Sequence, residues 1–210
     1  MKRKILVFDL DGVLFDTVAI VEQAMMDSYP GLTEEMSREL LCGNFYEELQ
    51  KLTIPKKIRT EEEEAEHKVL YSKKKVEALM YPRVKESLER LYKEGYTFVI
   101  NTSAYERNCL PILERADVAK LFDFLATAEI SKSKVEKFKR VAERYEVDAS
   151  EILFITDTLG DIREADIAGV PTIAVTWGVH DRSYFTREEH PNLIAMVDSF
   201  DELMKVVQSR

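Results

Sequence analysis

The feature that most constrains this chain is an apolar run over residues 5–8 that ends abruptly at Asp9. The run is continuous rather than alternating and is rich in β formers, a pattern typical of a parallel strand buried on both faces. Asp11 and Gly12 follow, and aspartate is disfavoured in strands and uncommon in cores unless it is paired or bound to a metal. The sequence therefore predicts a central strand with a turn at its carboxyl end, where two carboxylates lie together.

Two interpretations of this turn are open from these residues alone. Asp9 and Asp11 could face one cation, or one of them could accept hydrogen bonds from nearby backbone N–H groups while Gly12 supplies a positive φ. Short motifs of this kind also occur by chance, so the residues that follow the other strands decide between the two.

Composition narrows the class of protein. The chain has 210 residues, of which 45% are hydrophobic, enough for one large domain or a core with a modest insert. A net charge of -9 argues against general binding to nucleic acid or to anionic membranes. Cys42 and Cys109 are too few for a disulfide framework, so we expect a cytoplasmic setting. No signal peptide or membrane span is predicted, and no oligomeric state is indicated.

Six strands are predicted, at residues 5–8, 96–101, 122–126, 152–155, 172–175 and 193–197. They alternate with helical patterns whose lengths suit right-handed crossovers, which predicts an α/β fold: a Rossmann-like parallel sheet with helices on both faces. One helix is predicted to start near Asn108, with Pro111 in its first turn. Residues 177–191 are expected to form a long loop.

Residues 17–80 interrupt this alternation with helix formers and no convincing strand, which indicates a separate helical insert. Its charge-dense part, residues 56–75, places acidic residues before basic ones, as is typical of a solvated helix face. Gly43 and Asn44 separate two helical patterns. They form either an ordinary helix connection or a loop that faces the site.

The candidate functional residues lie just after the strands, because ligands of such sheets bind beyond the carboxyl ends of the strands. The strand ends supply Asp9 and Asp11, Thr102 and Ser103, Lys132 or Lys134, and Asp157 and Asp161. Taken singly, each has a plainer explanation as a turn residue, a helix cap or an exposed charge. Their shared placement favours one common site.

Carboxylates, hydroxyls and an amine at one edge of a sheet suit a metal and a phosphate group. A hard cation such as Mg2+ takes oxygen ligands and keeps open positions for substrate phosphate. A hydroxyl and an ammonium group can bind phosphoryl oxygens and stabilise charge as it shifts during transfer. One aspartate is then available to attack phosphorus as a nucleophile.

Over nearly its whole length the sequence resembles the haloacid dehalogenase-like superfamily. Residues 9–17, Asp-Leu-Asp-Gly-Val-Leu-Phe-Asp-Thr, are similar to its first motif, residues 101–103 to its second, and residues 157–161, Asp-Thr-Leu-Gly-Asp, to its fourth. The resemblance implies a catalytic core over residues 1–16 and 81–210. It also implies a small α-helical cap domain over residues 17–80, with Gly43 and Asn44 on the loop expected to bind substrate.

The resemblance also implies roles for the strand-end residues. Asp9 would be the nucleophile, and Asp11 would protonate the leaving group and then activate water. Thr102 would bind the transferring phosphoryl group beside Ser103, and Lys132 would steady both Asp9 and the phosphate. The implied Mg2+ ligands are Asp9, Asp11 through its main-chain carbonyl, Asp157 and Asp161, the last as a ligand or as a group that orients metal-bound water.

Two residues depart from the motifs. Ser133 follows Lys132 where the superfamily often has proline, which leaves Lys134 as an alternative to Lys132. Thr156 stands where a glycine usually precedes the fourth motif. Neither change removes a catalytic group.

The expected function is hydrolysis of a small phosphorylated metabolite, a phosphomonoester, through an aspartyl phosphate on Asp9 with Mg2+ as cofactor. Asp11 argues against dehalogenation, because the dehalogenases of this superfamily do not carry aspartate there. A sugar phosphomutase with the same core chemistry is the nearest alternative. A non-catalytic regulatory module that binds phosphate or metal is the second, because fold alone does not establish function.

Overall fold

The computed structural model describes residues 4–210, in which six parallel strands form one sheet. Residues 1–3, the start of the predicted core, lie outside the described residues. The strands are β1 (Lys4–Phe8), β2 (Tyr96–Asn101), β3 (Phe122–Ala126), β4 (Ile152–Thr156), β5 (Thr172–Val175) and β6 (Leu193–Val197). Their spatial order is β3-β2-β1-β4-β5-β6, so the direction of winding reverses beside β1. The predicted Rossmann-like parallel sheet is confirmed.

β1 is the strand around which the sheet is built. It pairs in parallel with β2 on one side and with β4 on the other. Leu6 and Phe8 pack into the hydrophobic cluster on one face, and Ile5 and Val7 into the cluster on the opposite face. This division follows from the alternation of side chains along a strand. Because both faces are covered, β1 ends inside the molecule, directly before Asp9.

Ten α-helices accompany the sheet within residues 4–210. Four of them lie within residues 17–80: α1 (Val18–Ser28), α2 (Glu34–Leu40), α3 (Phe45–Lys51) and α4 (Glu61–Glu77). The others are α5 (Val84–Lys93), α6 (Glu106–Arg115), α7 (Lys134–Tyr145), α8 (Leu159–Ala168), α9 (Arg182–Phe185) and α10 (Phe200–Gln208). No helix of the described part of the chain has both the length and the apolar character needed to cross a membrane.

Two stretches differ from the expectation. α6 begins at Glu106, so Asn108 does not cap it and Pro111 is its sixth residue rather than part of its first turn. Asn108 is buried and accepts a hydrogen bond from the Ser72 hydroxyl of α4 at 2.6 Å, a partner distant in sequence. Residues 177–191 are not a plain loop, because they contain the short helix α9.

The turn between α2 and α3 lies directly against the start of α8. The main-chain N–H of Gly160 donates a hydrogen bond to the Leu41 carbonyl at 2.9 Å. The Arg163 guanidinium donates to the Cys42 carbonyl. A β-carbon on Gly160 would overlap the main-chain carbonyl of Gly43. The close approach of the two segments therefore requires glycine at position 160.

We expect Gly160→Ala to lower the free energy of unfolding by about 1–3 kcal/mol, because the added methyl group would overlap backbone atoms that cannot rotate away. In a helix without such a contact, the same substitution stabilises by roughly 0.5–1 kcal/mol. Gly43→Ala is the matched control, since its β-carbon would meet only the flexible Glu48 side chain. Urea unfolding measures both variants, and equal stabilities would contradict the prediction.

Candidate active site

The carboxyl ends of β1, β2 and β4 open into a cavity of about 340 Å³. Six of the predicted strand-end residues line it, namely Asp9, Asp11, Thr102, Ser103, Asp157 and Asp161. Gly43, from the turn between α2 and α3, also lines it. The strand ends and the helical insert therefore contribute to one cavity.

The structure places the two candidate lysines differently. Lys134, the first residue of α7, is buried, and its ammonium nitrogen lies 2.9 Å from Asp9 Oδ2 and 2.5 Å from Asp161 Oδ2. Lys132 is half-buried, and its ammonium donates to the Tyr105 hydroxyl at 2.8 Å. The lysine that contacts Asp9 is thus Lys134, the alternative that the departure at residue 133 left open.

Burial and neighbouring charges together set the protonation of this cluster. Burial by itself would lower the pKa of Lys134, but the carboxylates of Asp161 and Asp9 outweigh it and raise that pKa above its ordinary value. Burial raises the pKa of Asp9, and the Lys134 ammonium opposes this rise. Lys134 is therefore a permanent positive charge beside two acidic groups.

Thr156 gives Asp161 a second partner. The Thr156 hydroxyl, buried at the end of β4, donates a hydrogen bond to Asp161 Oδ2 at 2.6 Å. Asp161 does not cap α8, since the Thr158 side chain does so by accepting the main-chain N–H of Asp161. The threonine in the usual place of glycine thus supplies a hydrogen-bond donor that glycine lacks.

Asp11 is held by two side chains from the helical insert. The Thr17 hydroxyl donates to Asp11 Oδ1 at 2.7 Å, and the Lys75 ammonium of α4 lies 2.7 Å from Asp11 Oδ2. Lys75 is fully buried, so the prediction that residues 56–75 form a solvated helix face is wrong at this position. Its partner is 64 positions away in sequence, and the periodicity of one helix carries no signal for such a contact.

Asp157 has one oxygen without a protein partner. Its Oδ2 accepts the main-chain N–H of Val179 at 2.8 Å, whereas its Oδ1 is buried with no hydrogen-bond partner among residues 4–210. Gly12, at a φ of 70°, packs so closely that a β-carbon would overlap the Asp157 carboxylate. Burial, together with the nearby Asp9 carboxylate, raises the pKa of Asp157 well above its ordinary value. A buried carboxylate oxygen of this kind suits a cation.

The donor set fits a hard cation that needs few protein ligands. Within residues 4–210, no three His, Cys, Asp or Glu side chains form a metal-binding group by themselves. Asp9 and Asp157 with the main-chain carbonyl of Asp11 would supply two carboxylates and one carbonyl. This set fits Mg2+, which keeps several waters and takes one or two carboxylates from the protein. Asp161 Oδ2 accepts from both Lys134 and Thr156, which suits Asp161 to orienting that lysine.

The backbone of Thr102 is held by Lys137, a residue that the sequence pattern did not indicate. The Thr102 carbonyl accepts a hydrogen bond from the Lys137 ammonium of α7 at 2.6 Å. Its hydroxyl oxygen accepts the Ala104 N–H at 3.0 Å, which leaves the hydroxyl proton available to a ligand. Lys137 is fully buried, and burial, aided by the charge of Lys134, lowers its pKa to about 7.

Gly43 and Asn44 occupy different environments. Gly43 lines the cavity. The side-chain oxygen of Asn44 caps α3 by accepting two main-chain N–H groups. Its amide nitrogen donates to the Lys132 carbonyl at 3.0 Å and to the Glu164 carboxylate at 3.1 Å. Asn44 therefore connects the insert to α8 and to the segment before α7.

A model of the haloacid dehalogenase-like hydrolase family matches residues 6–175. The match extends from β1 to the end of β5 and includes every strand-end residue that lines the cavity. The chain therefore belongs to the haloacid dehalogenase-like hydrolase family, as the resemblance of its motifs predicted.

Curated relatives match almost the whole chain. A phosphoglycolate phosphatase of Vibrio parahaemolyticus is 30% identical over 97% of this chain and 96% of its own length. A phosphoglycolate phosphatase of Mesorhizobium japonicum is 28% identical over 97% of this chain and 94% of its own length. Together with the family match, these full-length similarities confirm that the chain is a phosphoric monoester hydrolase.

Solved structures share the fold. A predicted phosphatase from Clostridium acetobutylicum matches with a TM-score of 0.74 at 22% identity, over 100% of both chains. CbbY from Rhodobacter sphaeroides, crystallised in complex with phosphate, matches with a TM-score of 0.72 at 19% identity, over 96% of each chain. At these identities the similarity establishes the fold, and it agrees with the α/β architecture expected from the sequence.

The surroundings of Lys137 predict a pH-dependent stability. Between its folded pKa of about 7 and the ordinary value of 10.5, the unfolded chain binds a proton that the folded chain lacks. Stability contributed by this lysine therefore rises with pH across that window and is lost as the pH falls towards 7. We expect the free energy of unfolding of wild type to rise relative to that of Lys137→Met between pH 7 and 10, by at most about 1.4 kcal/mol per pH unit.

Urea unfolding at several pH values measures this difference. Lys139→Met is the matched control, because Lys139 lies on the same helix with its side chain exposed, and its stability difference from wild type should stay constant. A pH-independent difference between wild type and Lys137→Met would show that the buried lysine does not lose its proton.

Proposed function

We propose that this protein is a Mg2+-dependent phosphatase that hydrolyses a small phosphomonoester through an aspartyl phosphate on Asp9. The observation that carries the proposal is the buried contact between Lys134 and Asp9, which lines the same cavity as Asp157 and Thr102. A carboxylate, an ammonium group, a hydroxyl donor and an unpaired buried oxygen are the groups that phosphoryl transfer requires.

The proposed reaction has two steps. In the first, an Asp9 carboxylate oxygen forms a bond to phosphorus while the bond from phosphorus to the ester oxygen breaks, and Asp11 gives its proton to the departing alcohol. In the second, Asp11 takes a proton from water, and the water oxygen attacks the phosphorus of the aspartyl phosphate. Inorganic phosphate leaves and the Asp9 carboxylate is restored. Both aspartates line the cavity in which the phosphate would sit.

The other residues would bind and orient the phosphoryl group. Lys134 would neutralise charge on the phosphate and keep Asp9 in place, with Asp161 holding the lysine. The Thr102 hydroxyl would donate to a phosphoryl oxygen. Mg2+, held by Asp9, Asp157 and the carbonyl of Asp11, would supply further neutralisation of negative charge. Ser103 lies beside Thr102 in the cavity wall and would bind the same substrate.

Residues 17–80 would act as a cap domain over a catalytic core formed by residues 1–16 and 81–210. Two sets of contacts support this position of the cap. Lys75 of α4 contacts Asp11, and the turn between α2 and α3 packs against α8. A cap in this position excludes bulk water from the phosphoryl group and contacts the leaving group. Phosphoglycolate, which names several curated relatives, is the first substrate to test.

We expect Asp9→Asn to lose at least about a thousandfold of kcat, because the amide is a poor nucleophile. With p-nitrophenyl phosphate, whose leaving group needs no proton, Asp11→Asn should release about one p-nitrophenolate per protein and then stall as the phosphoenzyme. Stopped-flow absorbance and intact-mass spectrometry measure the burst and the adduct. Turnover by Asp9→Asn at the wild-type rate would exclude the covalent mechanism.

Removal of Mg2+ by a chelator should stop wild-type turnover, and restored Mg2+ should recover it.

The positions of the two lysines predict unequal effects on activity. Lys134→Met should reduce kcat/KM by at least about 100-fold, because it removes the charge beside the reacting phosphate. Lys132→Met removes the same charge from a half-buried side chain at Tyr105 and should reduce kcat/KM by less than about tenfold. Phosphate release by both variants, with circular dichroism to check folding, makes the comparison. A larger loss in Lys132→Met would reverse the assignment.

A further inference from the structure

The part of the cavity formed by the helical insert is strongly apolar. Val21, Ala24 and Met25 of α1 line it, together with Phe45 and Leu49 of α3. These side chains belong to the segment that would face the leaving group of a substrate whose phosphate sits at Asp9. Pockets of about 300–1,000 Å³ commonly bind small molecules through such walls, with a few polar groups for orientation.

The same part of the cavity offers almost no positive charge. Among the described residues that line the cavity, Lys56 is the one lysine or arginine. The Lys56 side chain is 56% exposed, and its ammonium lies 3.9 Å from Glu64. The three buried lysines near the cavity are committed elsewhere, Lys75 to Asp11, Lys134 to Asp9 and Lys137 to the Thr102 carbonyl. No buried cation is thus available to pair with an acidic leaving group.

A carboxylate on the leaving group would therefore be poorly accommodated. It would lose its hydration against apolar side chains without gaining an ion pair to a buried cation among the described residues, which is costly for a charged group. It would also share the cavity with four aspartates, among them Asp9 and Asp157. Neutral polar atoms are better served, because the hydroxyls of Ser28 and Tyr71 also belong to residues of the lining.

We infer that the substrate is a phosphate ester of an uncharged, largely apolar alcohol, and that this alcohol lies against α1 and α3. The inference rests on the proposed phosphatase function and specifies its substrate class. Several relatives are named for phosphoglycolate, a compound whose leaving group carries a carboxylate. The inferred substrate of this chain differs from that compound, because its alcohol is uncharged.

A pair of esters that differ only in one carboxylate tests the inference. Benzyl phosphate and 4-carboxybenzyl phosphate have the same scissile bond and alcohols of similar acidity. Wild-type protein with Mg2+ should hydrolyse benzyl phosphate with a kcat/KM at least about tenfold higher, the ratio expected for an unpaired charge in an apolar pocket. Phosphoglycolate, measured in the same assay, should also have a lower kcat/KM than benzyl phosphate.

A substitution in the cavity wall should move this preference. Leu49→Lys places an ammonium group in the wall and should raise the kcat/KM ratio of the carboxylated to the neutral ester by about tenfold. Gln50→Lys is the matched control, since it adds the same charge at the neighbouring exposed position of α3 and should leave the ratio unchanged. Thermal unfolding of both variants reports whether the fold is retained.

The outcomes separate this inference from the proposed function. Phosphate release with a preference for the carboxylated ester in wild type overturns the inference and leaves the phosphatase function standing. Equal ratios in Leu49→Lys and Gln50→Lys overturn the placement of the alcohol against α3. If no ester releases phosphate, p-nitrophenyl phosphate included, the proposed function is contradicted. The inference about the substrate is then contradicted as well, because it rests on that function.

Discussion

One buried ammonium group joins two of the acidic groups of this site. Lys134 reaches Asp9 after β1 and Asp161 in α8, two carboxylates that would otherwise repel each other away from water. Removing one partner from a buried ion pair typically costs about 3–5 kcal/mol. The end of β1 and the start of α7 therefore stabilise each other. The dependence extends to the insert, because Glu164 accepts both the main-chain N–H of Lys134 and the amide of Asn44.

The fold was predictable where local pattern and burial coincide. The continuous apolar run before Asp9 required a strand covered on both faces, and β1 is the central strand with a hydrophobic cluster on each side. The ends of β1, β2 and β4 were recognisable because polar residues follow apolar runs there. Parallel strands end at the same edge of a sheet, so Asp9, Thr102 and Asp157 were expected together, and all three line one cavity.

Contacts that depend on tertiary placement were not predictable in the same way. The resemblance of the motifs pointed to Lys132, whereas the start of α7 decides which lysine faces Asp9. The local signal was Ser133, whose side chain caps the helix by accepting the Glu136 N–H, so that Lys134 is the first helical residue. Lys75 had no such signal. It lies in a charged helix whose pattern indicates solvent, and only the tertiary placement of α4, which packs against α1 and α6, gives it a partner in Asp11.

The turn between α2 and α3 contacts α8 through its own main-chain carbonyls and through the Asn44 side chain. Carbonyl groups of Leu41 and Cys42 accept the hydrogen bonds, and Gly160 provides the space. Leu41 of this turn and Phe45, the first residue of α3, line the cavity, and their hydrocarbon side chains form none of these hydrogen bonds. Under the proposed function, exchanging Leu41 or Phe45 would alter which alcohols fit while the hydrogen bonds between the turn and α8 are kept. Architecture and selectivity are separable here, which makes this turn a natural target for redesigning the enzyme.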